Sequence, residues 1–375
     1  MVSKWFPRKG FLKKLLHLFA FFFSCIIFMT IYQEMCIMMK FSLAQFDELV
    51  KNIPGKRIAV IGDVMLDTYL TGSASRISQE APVPVVLEKN RSSCLGGAAN
   101  VMRNITSLGG QVYAFGVVGN DAAGVKLREL LKKNLIDDSF IEVDQRRTTE
   151  KMRVLANNQQ VVRIDSEDTK EIAAEVAWKI CGNIKKLIAE NKVDAIIFED
   201  YNKGVLSQSM MDEIAAAANE HGIFTSLDPH PGHGVVVRNL SLITPNRLEA
   251  FGLAGLPYKD PDDPGARADL LNQVAAAIDE KWAVKNLLIT LSAEGMGLFR
   301  QGQAPFMMPT VAREVFDVSG AGDTVIATYT LFKACGAPDE VAMHLSNIAA
   351  GIVVGRVGTV TTNLDEMRVS LQERN

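Results

Sequence analysis

The stretch Asp317-Val-Ser-Gly-Ala-Gly-Asp-Thr324, running into the apolar segment 325–335, is where this sequence is best equipped for chemistry. Gly320, Ala321 and Gly322 are small enough for backbone N–H groups to close on an anion, and they fall where a helix begins. Free N–H donors and the positive end of the helix dipole converge at such a start. A phosphate would be held there, and charge growing on a phosphoryl group in transfer would be stabilised. Asp323 lies inside this nest. A carboxylate at a helix start often serves as a cap. Beside an anion hole it makes better electrostatic sense as a general base that takes the proton of an attacking hydroxyl. Neither GxxxxGK[ST] nor GxGxxG occurs in the chain, which excludes the two commonest nucleotide-loop fingerprints and argues against a dehydrogenase.

These residues need a scaffold, and the hydrophobic pattern supplies one. The runs 57–61, 112–118, 195–198, 224–227 and 286–290 are short, apolar and bounded by Gly, Asp or Asn, as buried strands are. Between them, 98–108, 122–133, 171–189, 207–219 and 267–281 show helical spacing. The alternation predicts an α/β fold, a three-layer α/β/α body around a mostly parallel sheet. The segment 84–89 and the pair 151–155 and 161–165, the pair with no helix between its members, break this alternation and read as antiparallel strands that form a small β lid from about 68–90 and 148–166. In open α/β sheets the ligand lies at the carboxyl ends of the strands. Asp63, Asp67, Asp200, Asp228, Asn246 and Ser292 follow predicted strands there. Each alone has a bland reading as a turn or cap residue, whereas six on one rim point to a site.

Composition narrows the partners. With 40 basic and 43 acidic residues the net charge is −3, and no broad basic surface for nucleic acid is implied. The charge is uneven, because residues 1–38 carry +4 and seven of the 18 phenylalanines, leaving −7 for the rest. Residues 15–33 hold no formal charge and follow five basic residues, a pattern that fits a membrane anchor. An anchor would send the remainder of the chain outside, away from the cytoplasmic phosphoryl donors that an anion hole beside a base would use. Met39-Lys40 and the amphipathic start behind it make a natural beginning, so 1–38 is read as an over-long or dispensable leader and 39–375 as a cytoplasmic enzyme. An inner-membrane anchor over 15–33 is the alternative, and the membrane is a partner only in that case. The five cysteines show no metal-ligand spacing, and His230 and His233 in a Pro/Gly turn read as loop residues.

The 317–324 stretch resembles the C-terminal signature of the ribokinase-like (PfkB) sugar kinases. Gly96-Gly97-Ala98-Ala99-Asn100, with Leu108-Gly109 behind it, resembles their N-terminal signature. Gly119-x-Asp121-x-x-Gly124 and Asn246-x-x-Glu249 match two more motifs, and the likeness runs from about Arg57 to Thr361. Within the family, Gly62-Asp-Val-Met-Leu-Asp67, the segment 75–85, Lys151-x-Arg153, 158–160, Arg163-x-Asp165 and Asp200-Tyr-x-Lys-Gly204 are similar to the heptose 7-phosphate kinases.

The resemblance implies ATP-dependent phosphorylation of D-glycero-β-D-manno-heptose 7-phosphate at O1, giving the 1,7-bisphosphate on the way to ADP-heptose and the lipopolysaccharide core. Asp67, Gly97 and Asn100, assisted by Asp63, match positions that hold sugar hydroxyls. Lys151, Arg153 and Arg163 lie on the lid, where fixed cations suit a substrate already bearing a phosphate; Asp200 and Lys203 complete that set. Asp323 matches the base, with Gly320 to Gly322 as its anion hole. Asn246 and Glu249 match the pair that organises Mg²⁺ through water. Thr290, Ser292 and Gly295 match the nucleotide-binding turn, with Asn347 on the helix beside adenine. A monovalent cation and a homodimer paired through the lid are further family expectations. Three residues depart from the pattern: His230 for lysine, Leu291 for a polar or basic residue, and Thr328 for Ala or Gly. Only 17 residues follow Gly358, so the expectation is a monofunctional kinase, with nucleotidyl transfer left to a separate protein. The rival readings are a kinase of fructose 6-phosphate, ribose or fructose, and a catalytically silent, membrane-anchored sugar-binding protein.

Overall fold

A computed structural model describes residues 41–157 and 159–373; residues 1–40, which include the leader and Met39-Lys40, Asn158 and the last two residues lie outside the described residues. In chain order the strands are β1 (Arg57–Gly62), β2 (Val64–Ile77), β3 (Pro84–Gly97), β4 (Gln111–Gly119), β5 (Ile141–Asp144), β6 (Thr149–Ala156), β7 (Gln159–Ser166), β8 (Ala195–Glu199), β9 (Phe224–Asp228), β10 (Leu242–Ile243), β11 (Leu287–Thr290), β12 (Met296–Phe299) and β13 (Phe306–Met308). Nine of them form one sheet in the order β13-β12-β11-β10-β9-β8-β1-β4-β5, parallel except for β12 and β13 at one end. The other four form the lid, ordered β3-β2-β6-β7.

The large sheet is buried on both faces. Along β1, Ile58 and Val60 enter one hydrophobic cluster and Ala59 and Ile61 the other. This is the period of two that a strand imposes, here between two apolar layers. The helix Ala321–Ala334 lies in the first layer and is buried from Asp323 through Phe332. It therefore has no solvent face there; Thr330 Oγ1 meets Ser226 Oγ at 2.8 Å and Thr324 Oγ1 donates to Asn104 Oδ1 at 3.1 Å, while the buried Thr328 hydroxyl has no partner among the described residues.

The five expected strands and five expected helices are all present, with ends moved by a few residues. The lid differs from expectation in two respects. Its first strand, β2, begins one residue after β1 and runs for 14 residues, although Gly72, Ser73 and Ala74 blur the pattern there. Asp67 therefore stands within a lid strand and not in a loop. The lid is also mixed, since β2 and β6 run parallel while the two outer pairings are antiparallel. The chain leaves the lid after β3, builds two helices and two strands of the body, and re-enters in the same direction. Parallel neighbours need a crossover of that kind. Among the described residues no helix is long and apolar enough to cross a membrane.

Candidate active site

Asp323 occupies the first turn of Ala321–Ala334 and is 6% exposed. Its Oδ2 accepts the Asn100 side-chain N–H at 2.7 Å, and its Oδ1 accepts the Tyr201 hydroxyl at 2.9 Å. The Asn100 amide has a defined orientation because Arg103 Nη2 donates to Asn100 Oδ1 at 2.8 Å. Arg103 Nη2 also donates to the Thr359 carbonyl at 2.8 Å. Burial pushes the Asp323 carboxyl above the usual carboxylate range and the nearby Asp67 adds to this, while the bonds from Asn100 and Tyr201 pull it back. A base so placed is available to accept a proton.

Gly320 has φ +76°, and a Cβ there would lie 2.8 Å from Asn100 Nδ2. The conformation suits glycine, and the missing side chain leaves room for the amide that reaches the base. The Ala321 N–H donates within the loop to the Val318 carbonyl at 3.2 Å, so it is already engaged in this state. Asp317 shapes the loop from below, accepting the Ser319 N–H at 2.9 Å and the Gly358 N–H at 3.0 Å.

Opposite the base, the segment after β8 is anchored by Asp63. One oxygen of Asp63 accepts the N–H of Tyr201 at 2.9 Å and of Lys203 at 3.0 Å, and the other that of Val205 at 3.2 Å. Burial raises the Asp63 carboxyl, and these N–H bonds oppose the rise. Asp63 thus organises the loop that carries Tyr201. Asp200 is engaged in a similar way: it accepts the Asn202 N–H at 2.8 Å and pairs with His233 Nδ1 at 2.7 Å. His233 is the second histidine of the His-Pro-Gly-His turn, and this carboxylate pairing accounts for it.

Gly97 ends β3 at φ +54°, where a Cβ would lie 2.6 Å from both the Asp63 carbonyl and the Met65 side chain. That close approach lets β3 turn into the helix Ala98–Ser107 and bring Asn100 to the base. Asp67 faces the same space and pairs with Arg153 Nη1 at 2.6 Å. In the lid, Asp67 stands opposite Lys151, Tyr69 opposite Arg153, and Arg153 opposite Arg163. Directly opposed residues share a face, so Lys151, Arg153 and Arg163 project from one side of the lid. Lys151 lies over the Tyr201 ring at 5.2 Å, and Arg153 over the Tyr69 ring at 5.4 Å. Burial lowers the Lys151 ammonium, with Asp67 opposing it. Arg163 is held by Asp165 through two bonds of 2.8 and 2.9 Å, and Lys203 by Glu167 at 2.8 Å.

At the far end of the rim, Asn246 and Glu249 form a reciprocal capping box at the start of Arg247–Ala254, with bonds of 2.8 and 3.0 Å. Asn246 bridges to Thr290, and the turn Ser292–Glu294 follows, closed by Gly295. Leu291 is 3% exposed and packs in the core, so this departure puts an apolar anchor under the turn. Asn347, on Asp339–Val353, donates to the Pro309 carbonyl at 2.7 Å. His230 is exposed, and Thr328 is fully buried inside its helix.

Residues that sequence reasoning left out of the site stand close to the base. Tyr201 lies between Asp200 and Lys203, both of which were assigned. Its sequence signals are an aromatic hydroxyl just past a strand's carboxyl end and its place in the Asp200-Tyr-x-Lys-Gly204 motif. Glu199 ends β8 and is fully buried, and both its carboxylate oxygens have no hydrogen-bond partner. One oxygen of its carboxylate, one of Asp228 and one of Asp323 lie within 4.8 Å of one another. Burial first, then the neighbouring carboxylates, push Glu199 and Asp228 well above the usual range. This all-oxygen, negatively charged donor set fits a hard divalent cation, and the two orphaned oxygens of Glu199 are the clearest sign of the fit.

The pfkB family carbohydrate kinase model matches residues 56–366. The chain belongs to that family. It is a sugar kinase, of the class that uses ATP and a divalent metal. The bifunctional protein HldE of Desulfatibacillum aliphaticivorans is 42% identical over 322 residues, covering 85% of this chain and 63% of that protein. HldE of Helicobacter pylori is 39% identical over 319 residues, covering 85% of this chain and 67% of that protein. The kinase thus spans about 63% of the length of the first of these relatives. Arabidopsis thaliana ribokinase, solved with ribose and ATP, superposes with a TM-score of 0.62 at 19% identity, over 85% of this chain and 98% of that one. Escherichia coli phosphofructokinase-2, solved with potassium, gives 0.65 at 18% over the same shares. These likenesses establish the ribokinase-like fold of the kinase, with its mostly parallel sheet and small second sheet.

Proposed function

We propose that the kinase transfers the γ-phosphoryl group of ATP to O1 of D-glycero-β-D-manno-heptose 7-phosphate. The observation that carries this reading is the shared lid face of Lys151 and Arg153, beside Asp67 and above Tyr201, within reach of the space in front of Asp323. Fixed cations on the sugar side suit a substrate that arrives with a phosphate. The likeness to the HldE proteins and the GDVMLD and DYNKG segments favour a heptose over other phosphosugars.

Asp67, Asn100 and the Gly96–Gly97 turn hold the sugar hydroxyls. Asp323 takes the O1 proton as O1 bonds to the γ-phosphorus and the bond from that phosphorus to the bridging oxygen of ADP breaks. The N–H groups at Gly320 to Gly322 receive the charge on the phosphoryl oxygens. Thr290, Ser292 and Gly295 line the nucleotide's path, with Asn347 steadying the adjoining segment. Asn246 and Glu249 would hold Mg²⁺ through water, and the ion would offset phosphate charge. Lid closure over the sugar keeps water from the γ-phosphate. The enzyme body is 39–375, with 1–38 dispensable, and the product enters ADP-heptose synthesis through a nucleotidyltransferase. The lid's outer strands β3 and β7 and its exposed Ile77, Leu87, Val162 and Ile164 support pairing with a second copy.

The test offers the purified kinase ATP and Mg²⁺ with heptose 7-phosphate, fructose 6-phosphate, ribose and fructose in competition. Mass spectrometry should find a heptose bisphosphate as the main product, with its new phosphate on O1. Preferred turnover of any of the other three sugars overturns the reading.

A further inference from the structure

We propose that Glu199 and Asp228 ligate a divalent cation directly, beside Asp323, and that this cation binds without nucleotide. The inference concerns the metal chemistry of the site proposed above, but it rests on residues outside the Asn246–Glu249 pair. The alternation of β8 carries it. Ala195 and Ile197 point into the same apolar cluster as the catalytic helix, and Glu199 is the next residue on that face. A carboxylate thus occupies a position where the pattern calls for an aliphatic side chain. It is fully buried and neither oxygen has a hydrogen-bond partner.

The neighbouring strand sharpens the point. In the parallel pairing of β8 with β9, Glu199 stands opposite Asp228. Like charges directly opposed across a sheet repel, and burial strengthens the repulsion. Asp323 brings a third carboxylate to within 4.8 Å. Arg103 is engaged with Asn100 and Thr359, His233 with Asp200, and Lys203 with Glu167. Asp228 takes a bond from Thr244 Oγ1 at 3.2 Å, which leaves it further acceptor capacity. A cation between Glu199 and Asp228 satisfies the orphaned oxygens and relieves the repulsion together. Carboxylate oxygens of this kind are ligands for Mg²⁺ or Mn²⁺.

Mn²⁺ is the probe. The full chain, stripped with chelator and free of nucleotide and sugar, is titrated while the free Mn²⁺ signal is followed by electron paramagnetic resonance. One saturable site is expected, weakened at least tenfold in Glu199→Gln and in Asp228→Asn and unchanged in Asp165→Asn on the lid. Mn²⁺ should also raise the melting temperature of the unaltered chain, and of neither cluster variant. Two cluster variants guard against one of them failing to fold. Absence of saturable binding without nucleotide overturns the proposal, as does equal binding by Glu199→Gln. Because no sugar is present, preference for a different sugar would defeat the heptose reading and leave this result standing.

Discussion

The Tyr201 hydroxyl donates to Asp323 Oδ1 at 2.9 Å, and the same tyrosine ring lies under Lys151 of the lid at 5.2 Å. The base is therefore tied to the lid through one aromatic side chain. Its backbone is pinned in turn by Asp63, which accepts the Tyr201 N–H at 2.9 Å.

Tyr201→Phe removes the hydroxyl and keeps the ring. A hydrogen bond to a charged group contributes about 1.5–3 kcal/mol, so kcat should fall about tenfold or somewhat more. KM for ATP should stay near its normal value. Steady-state kinetics check this, and an unaltered kcat would show that Asn100 alone orients the base.

Asp323→Asn preserves the shape of the base and removes its ability to accept a proton. General-base catalysis contributes about 10²–10⁴ in rate, so turnover should drop by that order. Nucleotide binding, followed by calorimetry, should persist. Turnover within a factor of about three of normal would be incompatible with the assigned role.

Arg153 stands on Asp67 at 2.6 Å and over Tyr69, within the lid. Arg153→Ala should raise KM for the phosphosugar by about tenfold, the equivalent of about 1.4 kcal/mol, with little change for ATP. Lysine should restore part of the loss, because it returns the charge without the planar fork. Equal effects on both substrates would place Arg153 outside the sugar pocket.

Asp121 joins the body to the lid. It caps the helix Ala122–Lys133 through the Gly124 N–H at 2.8 Å, and it also accepts the Thr148 N–H at 2.9 Å and the Thr148 hydroxyl at 2.7 Å. Partial burial raises its carboxyl, but these bonds outweigh that and hold it below the usual range. A depressed carboxylate stabilises the fold above its unfolded-state value, and the contribution is lost as pH falls through the folded-state value. Asp121→Ala should cost about 1–2 kcal/mol near neutral pH. Denaturant titrations should show the gap between variant and unaltered chain closing as pH falls below the ordinary carboxylate range. A gap that stays constant would remove the charge from the explanation.

The body was legible in sequence because its strands are buried on both sides. Burial on both faces demands continuous apolar runs such as 57–61 and 195–198, and those are hard to mistake. The motif around Asp323 was legible for a related reason. Three small residues before a carboxylate at a helix start have few other uses, and the helix does start there. The lid was harder to place. Its strands are half exposed, β2 contains Gly72 with bulges beside it, and a parallel return of β6 cannot be seen without the intervening fold.

By itself, then, the sequence determined the α/β body, the helix-start base and the residue types on the rim, since periodicity and local turn chemistry act over a few residues. Only the tertiary structure decided which rim residues meet. Asp63 and Asp200, legible as ligands, spend their carboxylates on the loop after β8 and on His233. Tyr201, legible only as part of the Asp200–Gly204 motif, and Glu199, which carries no local signal, reach the base and its carboxylate neighbours. The difference is long-range: Asn100 and Tyr201 meet Asp323 across 223 and 122 residues of chain. Contacts of that separation are set by sheet order and strand register.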